Sequence, residues 1–259
     1  MASWLETEAP TRFDELAVPE AVRQALVSSS TSIDPPHILI TGPAGVGKTA
    51  CWRLFARQLL GPGWKSTTHV LQARDLARQR GAMSSFEGFL RPSGSEKDTL
   101  AGRTSLDAYD RGISIPQGKN FAPTGSEIEV REGKVPISRL IVIEDADHLG
   151  HIRQAYLRRM METVGEASRF VLIARAPSRI IDALRSRSQM IRIPSTDRQT
   201  ITKTLSVIAE KNGLEPTEGV LEDISYISEG NLKRAIFTPE LLDIRGLTSD
   251  RSSVHKMVQ

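Results

Sequence analysis

Gly42-Pro43-Ala44-Gly45-Val46-Gly47-Lys48-Thr49 says more about this 259-residue chain than any other stretch of it. The apolar run His37-Ile38-Leu39-Ile40-Thr41 precedes it and predicts a buried strand. Residues 50–60 follow, and their composition predicts a helix. A strand, a glycine loop and a helix in that order are the setting of a P-loop. The glycines let successive backbone N–H groups turn inward around phosphate oxygens. The helix behind them points the positive end of its dipole the same way. Lys48 is then the residue that reaches the terminal phosphates, and the Thr49 hydroxyl is a Mg2+ ligand. The expected cradle is Gly42, Pro43, Ala44, Gly45, Val46, Gly47, Lys48, Thr49 and Ala50, with a nucleoside triphosphate as its ligand.

Working outward, the composition sets broad limits. A hydrophobic share of 39% and a charged share of 25% are those of an ordinary globular chain, long enough for one large domain or two average ones. The net charge of +3 points only weakly towards nucleic acid. A single cysteine, Cys51, excludes a disulfide within the chain and fits a reducing, cytoplasmic setting. Its place in the predicted helix suits a small core residue. No apolar run approaches the roughly 18–20 residues of a membrane span, so no membrane partner is expected. Met1-Ala2-Ser3-Trp4-Leu5-Glu6 lacks a signal-peptide core. Five scattered histidines have no metal-ligand spacing.

Residues 20–27 carry apolar side chains at helical intervals, and Pro35-Pro36 stops that helix. His69-Val70-Leu71-Gln72-Ala73 predicts a second strand. Residues 81–138 hold eight glycines and four prolines and few apolar runs, which predicts a partly ordered surface insertion. A helix at 105–111 and a hairpin at 126–135 are its possible local elements. Leu140-Ile141-Val142-Ile143 reads as a strand covered on both faces, residues 152–164 as a helix, and Phe170-Val171-Leu172-Ile173-Ala174 and Met190-Ile191-Arg192-Ile193 as further strands. Strands alternating with helices predict an α/β parallel sheet over residues 1–194. After Pro194 the periodicity is helical throughout, with a break at Asn212-Gly213, so residues 195–247 form a small helical domain. Residues 248–259 read as a polar tail.

The chemistry is expected where strand 140–143 runs into Glu144-Asp145-Ala146-Asp147. One carboxylate at such a strand end holds Mg2+ and the next orients an attacking water. An unrelated P-loop enzyme, such as a small-molecule kinase, would also need an acceptor site, and the sequence offers no candidate for one.

These motifs in this order resemble the AAA+ ATPases of the clamp-loader type, and most closely the replication factor C small subunits. The likeness spans nearly all of residues 4–245 outside the insertion. Trp4, Pro10 and Phe13-Asp14-Glu15-Leu16 look like the family's N-terminal arm, and Gly61-Pro62-Gly63-Trp64 like its turn after the P-loop helix. Glu144-Asp145-Ala146-Asp147 stands where the family has an Asp-Glu-Ala-Asp box. Gln154-Ala155-Tyr156-Leu157-Arg158-Arg159-Met160-Met161-Glu162 is similar to the helix after that box. Residues 170–180 match the sensor-1 segment, and Ser186-Arg187-Ser188 looks like the Ser-Arg-Cys motif.

The resemblance implies ATP with Mg2+ as ligands, Thr49 and Glu144 on the metal, and Asp145 on the water. It makes Arg187 an arginine finger serving a neighbouring subunit, since a guanidinium is always charged and spreads over phosphate oxygens. Arg158 and Arg159 line a DNA chamber and grip phosphates without reading sequence. Neighbouring helical residues point about 100° apart, so one of the two can instead pair with Glu162. The implied partners are other clamp-loader subunits, a sliding clamp and primed double-stranded DNA.

Several positions depart from the family. The acidic box is inverted, so one carboxylate is a methylene longer and the other a methylene shorter. Arg175 replaces the sensor-1 asparagine, an amide exchanged for a permanent cation. Lys233 stands for the sensor-2 arginine and keeps the charge without the fork. Glu8-Ala9 replaces a Tyr-Arg pair near the adenine. The chain stops just after the helical lid, where family small subunits continue into a collar, so it is either truncated or assembled differently. Two readings follow. One is an ATPase subunit that helps load a sliding clamp in replication. The other is an ATP-binding structural subunit with little hydrolysis of its own.

Overall fold

The apolar runs at 37–41, 140–143 and 170–174 become neighbouring strands at the centre of one sheet. The computed structural model describes residues 3–61, 64–90, 103–104, 122–125, 137–163, 167–217 and 219–244. Six strands occur among them: β1 (His37–Thr41), β2 (Thr68–Gln72), β3 (Arg103–Thr104), β4 (Arg139–Glu144), β5 (Ser168–Ala174) and β6 (Ser188–Arg192). Their order across the sheet is β3-β2-β4-β5-β1-β6. All pairings are parallel except the short β2–β3 edge. Parallel neighbours require crossovers, and a sheet covered on both faces needs apolar residues on both. Ile38, Leu39, Ile40, Leu140, Ile141, Val142 and Ile143 are fully buried, which explains why their runs show no alternation.

The chain opens with α1 (Trp4–Thr7), and the helices that cover the sheet are α2 (Glu20–Thr31), α3 (Lys48–Leu60), α4 (Trp64–Thr67), α5 (Ala73–Leu76), α6 (Ala82–Leu90), α7 (Gly150–Thr163) and α8 (Asp182–Arg185). On one face α2 and α3 pack through Leu26, Trp52 and Phe55. On the other, Phe86, Leu157 and Leu184 pack against Ile141 and Phe170. Each fully buried side chain of this size contributes about 1.5–3 kcal/mol.

A separate layer follows: α9 (Arg198–Lys211), α10 (Val220–Ile227) and α11 (Leu232–Ile244). Asp197 caps α9 through the Thr200 N–H at 2.9 Å and its hydroxyl at 2.6 Å. Asn212 ends α9, where the sequence predicts the break.

The structure adds to the sequence reading in three places. Order does not fade at residue 81: α6 lies inside the expected insertion, with Phe86 and Leu90 fully buried. Three aromatic or leucine residues in nine supply a core-facing stripe despite the glycine-rich surroundings. Proposed elements at 105–111 and 126–135 lie outside the described residues. β6 begins at Ser188, so Ser186-Arg187-Ser188 runs straight into a strand. Finally, Trp4 does not pack on the sheet. It joins Leu205, Ile224 and Ala235 in the core of the C-terminal helices. Glu240, almost fully buried, accepts hydrogen bonds from the Trp4 N–H and the Ser3 hydroxyl, both at 3.0 Å. The two ends of the described chain therefore share one small core.

Candidate nucleotide site

Parallel strands deliver their C-terminal ends to one edge, and the crevice there is where α/β sheets bind ligands. Thr41, Gln72, Glu144 and Ala174 close β1, β2, β4 and β5 at that edge. The loop from Gly42 is pinned at its base: the Gly42 N–H donates to the Ala174 carbonyl at 3.3 Å, and Ile193 N–H to Thr41 at 2.8 Å. Gly47 has φ +91° and caps α3, and nothing stands within 4 Å of where a side chain would begin. A left-handed residue facing open space at a helix N-terminus leaves backbone N–H groups available to an anion. Lys48 folds back over the loop, donating to the Gly42 carbonyl at 2.7 Å and to that of Pro43. Burial and the nearby Arg175 push its ammonium below the usual lysine range, against the pull of Asp145, Asp147 and Glu144. Cys51, one turn into α3, is fully buried and its thiol is pushed up to about 12 by that burial, so it is a core residue.

The acids stand across from this loop. β2 and β4 pair with Gln72 opposite Glu144. Glu144 Oε1 accepts from the Thr49 hydroxyl at 3.3 Å and from the Trp52 indole N–H at 2.9 Å. Its Oε2 accepts from the Gln72 amide at 2.8 Å. Asp145 adopts φ +51°, a left-handed conformation that an aspartate tolerates better than most residues. Its carboxylate lies 3.5 Å from Arg74 Nε, and Arg74 Nη2 is 3.4 Å from His148 Nε2. A buried Asp147 Oδ1 has no hydrogen-bond partner among the described residues. Hard oxygens of Thr49 and Glu144 side by side, with an orphaned carboxylate oxygen two residues along from Asp145, suit Mg2+. Thr49 and Glu144 would hold the ion, which would supply charge neutralisation to bound phosphates. Among the described residues no group of three or more His, Cys, Asp or Glu could hold a metal ion by itself.

The C-terminal helices reach the same loop. Asn231 caps α11 through its Oδ1 and the Arg234 N–H at 3.0 Å. The next free donor of that helix end, the Lys233 N–H, goes to the Gly45 carbonyl at 3.0 Å. Gly45 has φ +75°, and a Cβ there would stand 1.8 Å from Asn231 Oδ1. The link at Lys233 is thus made by its backbone, while its side chain is exposed. Arg175 is also exposed, just beyond the end of β5.

Arg187, Arg158 and Arg159 lie elsewhere. Arg187 donates to the Ala183 carbonyl at 2.8 Å and pairs with Glu162 at 2.5 Å. Glu162 also holds Arg158, at 3.2 Å. The Arg158 hydrogen bond, followed by its charge and that of Arg187, keeps the Glu162 carboxyl below the usual range. Arg159 instead lies over the Tyr156 ring, 5.6 Å from its centroid. The two arginines of α7 diverge as helical geometry demands, and one takes the glutamate four residues on. Buried Gln154 ties α7 to the segment leading to Arg187: its Nε2 donates to the Arg179 carbonyl at 2.9 Å and its Oε1 accepts from Ile181 N–H at 2.8 Å.

Sequence reasoning missed Trp52, Gln72, Arg74 and Asn231. Two of them left a signal. Trp52 is three residues after Thr49, hence on the same helical face, and Gln72 ends the strand that must neighbour β4. Arg74 and Asn231 depend on tertiary placement that no local pattern carries.

Known proteins bear on this site as follows. No protein-family model matches the chain. The replication factor C small subunit 1 of Pyrobaculum islandicum is 31% identical over 235 residues, which are 90% of this chain and 59% of that protein. The protein of the same name from Pyrobaculum aerophilum is 30% identical over 95% of this chain and 62% of its own length. The replication factor C small subunit of Methanoculleus marisnigri is 29% identical over 90% of this chain. The chain spans about three fifths of the length of these relatives. Among solved structures, the Holliday junction branch migration motor RuvB of Thermotoga maritima superposes with a TM-score of 0.62 at 15% identity, over 96% of this chain and 71% of that one. That likeness concerns the fold. The chain is thus similar to the replication factor C small subunits along almost its whole length, on a P-loop sheet whose fold it shares with RuvB.

Proposed function

We propose that this chain binds ATP with Mg2+ at the P-loop and works as a clamp-loader-like AAA+ subunit. In that role it helps load a sliding clamp onto primed DNA alongside other subunits, in the cytoplasm. The observation that carries the nucleotide reading is the pairing of the Thr49 hydroxyl with Glu144 at the mouth of a glycine loop. A hydroxyl and a carboxylate held side by side there are what an octahedral cation needs from the protein when phosphates supply the rest. The seat of α11 on the Gly45 carbonyl supports a conformational reading, because whatever enters the loop meets both layers at once. ATP would then bias how the helical layer sits on the sheet. The clamp, DNA and subunit partners rest on the relatives' name.

In this reading Arg187 serves a neighbour's nucleotide, and Arg158 and Arg159 meet DNA phosphates. Asp145 and Glu144 divide the water and the metal between them, with Arg175 and Lys233 as the cations nearest the terminal phosphate. The test is ATP binding and single-turnover hydrolysis by the purified chain, with Lys48→Ala as control, alone and with primed DNA and clamp-loader partners. Tight, Lys48-dependent binding is the expected result, and DNA-stimulated turnover identifies a working ATPase. Absence of any nucleotide binding overturns the proposal.

A further inference from the structure

Glu144 is one methylene longer than the aspartate that the resemblance puts at its position, and it carries one more rotatable bond. Left to itself, such a side chain samples several rotamers, and a carboxylate that wanders binds a cation poorly. In this structure it does not wander. The indole N–H of Trp52 meets Oε1 at 2.9 Å and the amide of Gln72 meets Oε2 at 2.8 Å. The donors come from different elements, α3 and β2, so the carboxylate is held from two directions.

Trp52 itself is fully buried and so cannot move to follow the acid. A buried indole N–H needs an acceptor, and Glu144 is the one it has. Thr49 and Trp52 lie three residues apart on the same helix and both approach Oε1. The hydroxyl that would share a metal with Glu144 and the indole that fixes Glu144 are thus set by one rigid turn of α3.

We propose that Trp52 is the positioning residue that makes a glutamate serve as the metal-side carboxylate of this site. The proposal rests on the Mg2+-nucleotide reading above and extends it to a residue which itself touches neither metal nor phosphate. Groups that orient a metal ligand through hydrogen bonds change metal affinity by about 10–100-fold when removed. Trp52→Phe deletes the N–H and keeps an aromatic body in the core. Glu144→Asp keeps the charge but withdraws the carboxylate from a fixed indole.

The experiment measures Mn2+ binding by electron paramagnetic resonance in the presence of ATP, and ATP binding by calorimetry in EDTA. Trp52→Phe is expected to weaken Mn2+ about tenfold while leaving the EDTA affinity for ATP unchanged. A merely structural loss would weaken both. Glu144→Asp is expected to weaken Mn2+ as well, and adding Trp52→Phe to it is expected to cost nothing further. Equal Mn2+ affinity in wild type and Trp52→Phe, or fully additive losses in the double variant, overturns the assignment. A wild-type chain that binds ATP in neither condition overturns the underlying nucleotide reading, and the assignment with it. If Trp52→Phe fails to fold, the wild-type indole N–H signals decide by nuclear magnetic resonance. Glu144→Asp must then move one indole resonance, distinct from those removed by Trp4→Phe and Trp64→Phe. An unmoved third resonance refutes the contact.

Discussion

Gly45→Ala tests whether the helical layer rests on the P-loop as the structure has it. Two costs are readable. A residue with a Cβ at φ +75° pays about 1–2 kcal/mol for the left-handed conformation. The new methyl also stands 1.8 Å from Asn231 Oδ1, so the carboxamide must leave the Arg234 N–H that it caps at 3.0 Å. Losing such a cap costs about 1 kcal/mol. The single variant should therefore lose about 2–3 kcal/mol. Asn231→Ala alone should lose about 1 kcal/mol, the cap and nothing else. In the double variant the cap is lost only once. Its total should stay at about 2–3 kcal/mol, short of the simple sum by about 1 kcal/mol. Urea denaturation of the four proteins measures the cycle, provided the slopes match. Strict additivity would mean that Gly45 and Asn231 do not touch, and the contact between the two layers would have to be abandoned.

The remaining predictions concern charge. Burial, with Arg169 adding to it, lowers His37 from 6.5 to about 4, while its Nδ1 accepts from the Phe170 N–H at 3.1 Å. The folded state thus holds it neutral. Its contribution, up to about 3 kcal/mol, is complete above pH 6.5 and is lost as pH falls from there towards 4. His37→Gln should flatten that part of a stability-versus-pH curve obtained from urea melts; an unchanged slope would refute the buried neutral imidazole. Arg187→Ala should leave this chain's own ATP affinity intact and reduce turnover in an assembled complex on the order of a thousandfold, and an unchanged rate removes the finger role. Arg158→Ala with Arg159→Ala should weaken primed-DNA binding for all sequences alike and lower the salt slope by about one for each phosphate no longer neutralised. Unaltered binding at low salt would take both arginines off the DNA.

The three central strands β1, β4 and β5 were legible because each holds an unbroken apolar run, as burial on both faces requires. The P-loop was legible because its demands are local: backbone N–H groups, one ammonium and one hydroxyl at fixed spacing. α6 was not. Its apolar residues sit inside a glycine-rich and proline-rich stretch, and composition averaged over 58 positions conceals a nine-residue helix. The place of Trp4 was not legible for a different reason. A short amphipathic turn carries no label for the layer it will join, and the choice is made by Glu240, more than 230 residues away. The links of Glu162 to both Arg158 and Arg187 show the same division. Helical spacing predicts the first, an i to i+4 pair. The second depends on where the loop after α8 lands.

The departures from the family pattern are also not independent of one another. Glu144 is met by Trp52 and Gln72, Asp145 by Arg74, and Lys48 shares its surroundings with Arg175. All stand at one edge of the sheet, within hydrogen-bonding or charge range of a neighbour in the same group. In such a network the effect of one residue depends on the others, and pairs in contact couple by about 0.5–3 kcal/mol. Replacing a single member of the group therefore removes a partner of its neighbour. Glu144→Asp strands a buried indole, and a neutral residue at Arg74 leaves Asp145 unpaired at the strand end. Each of the inverted acids thus meets a side chain of a neighbouring element. At that edge the length of Glu144 and the reach of the Trp52 indole match, since the two meet at 2.9 Å.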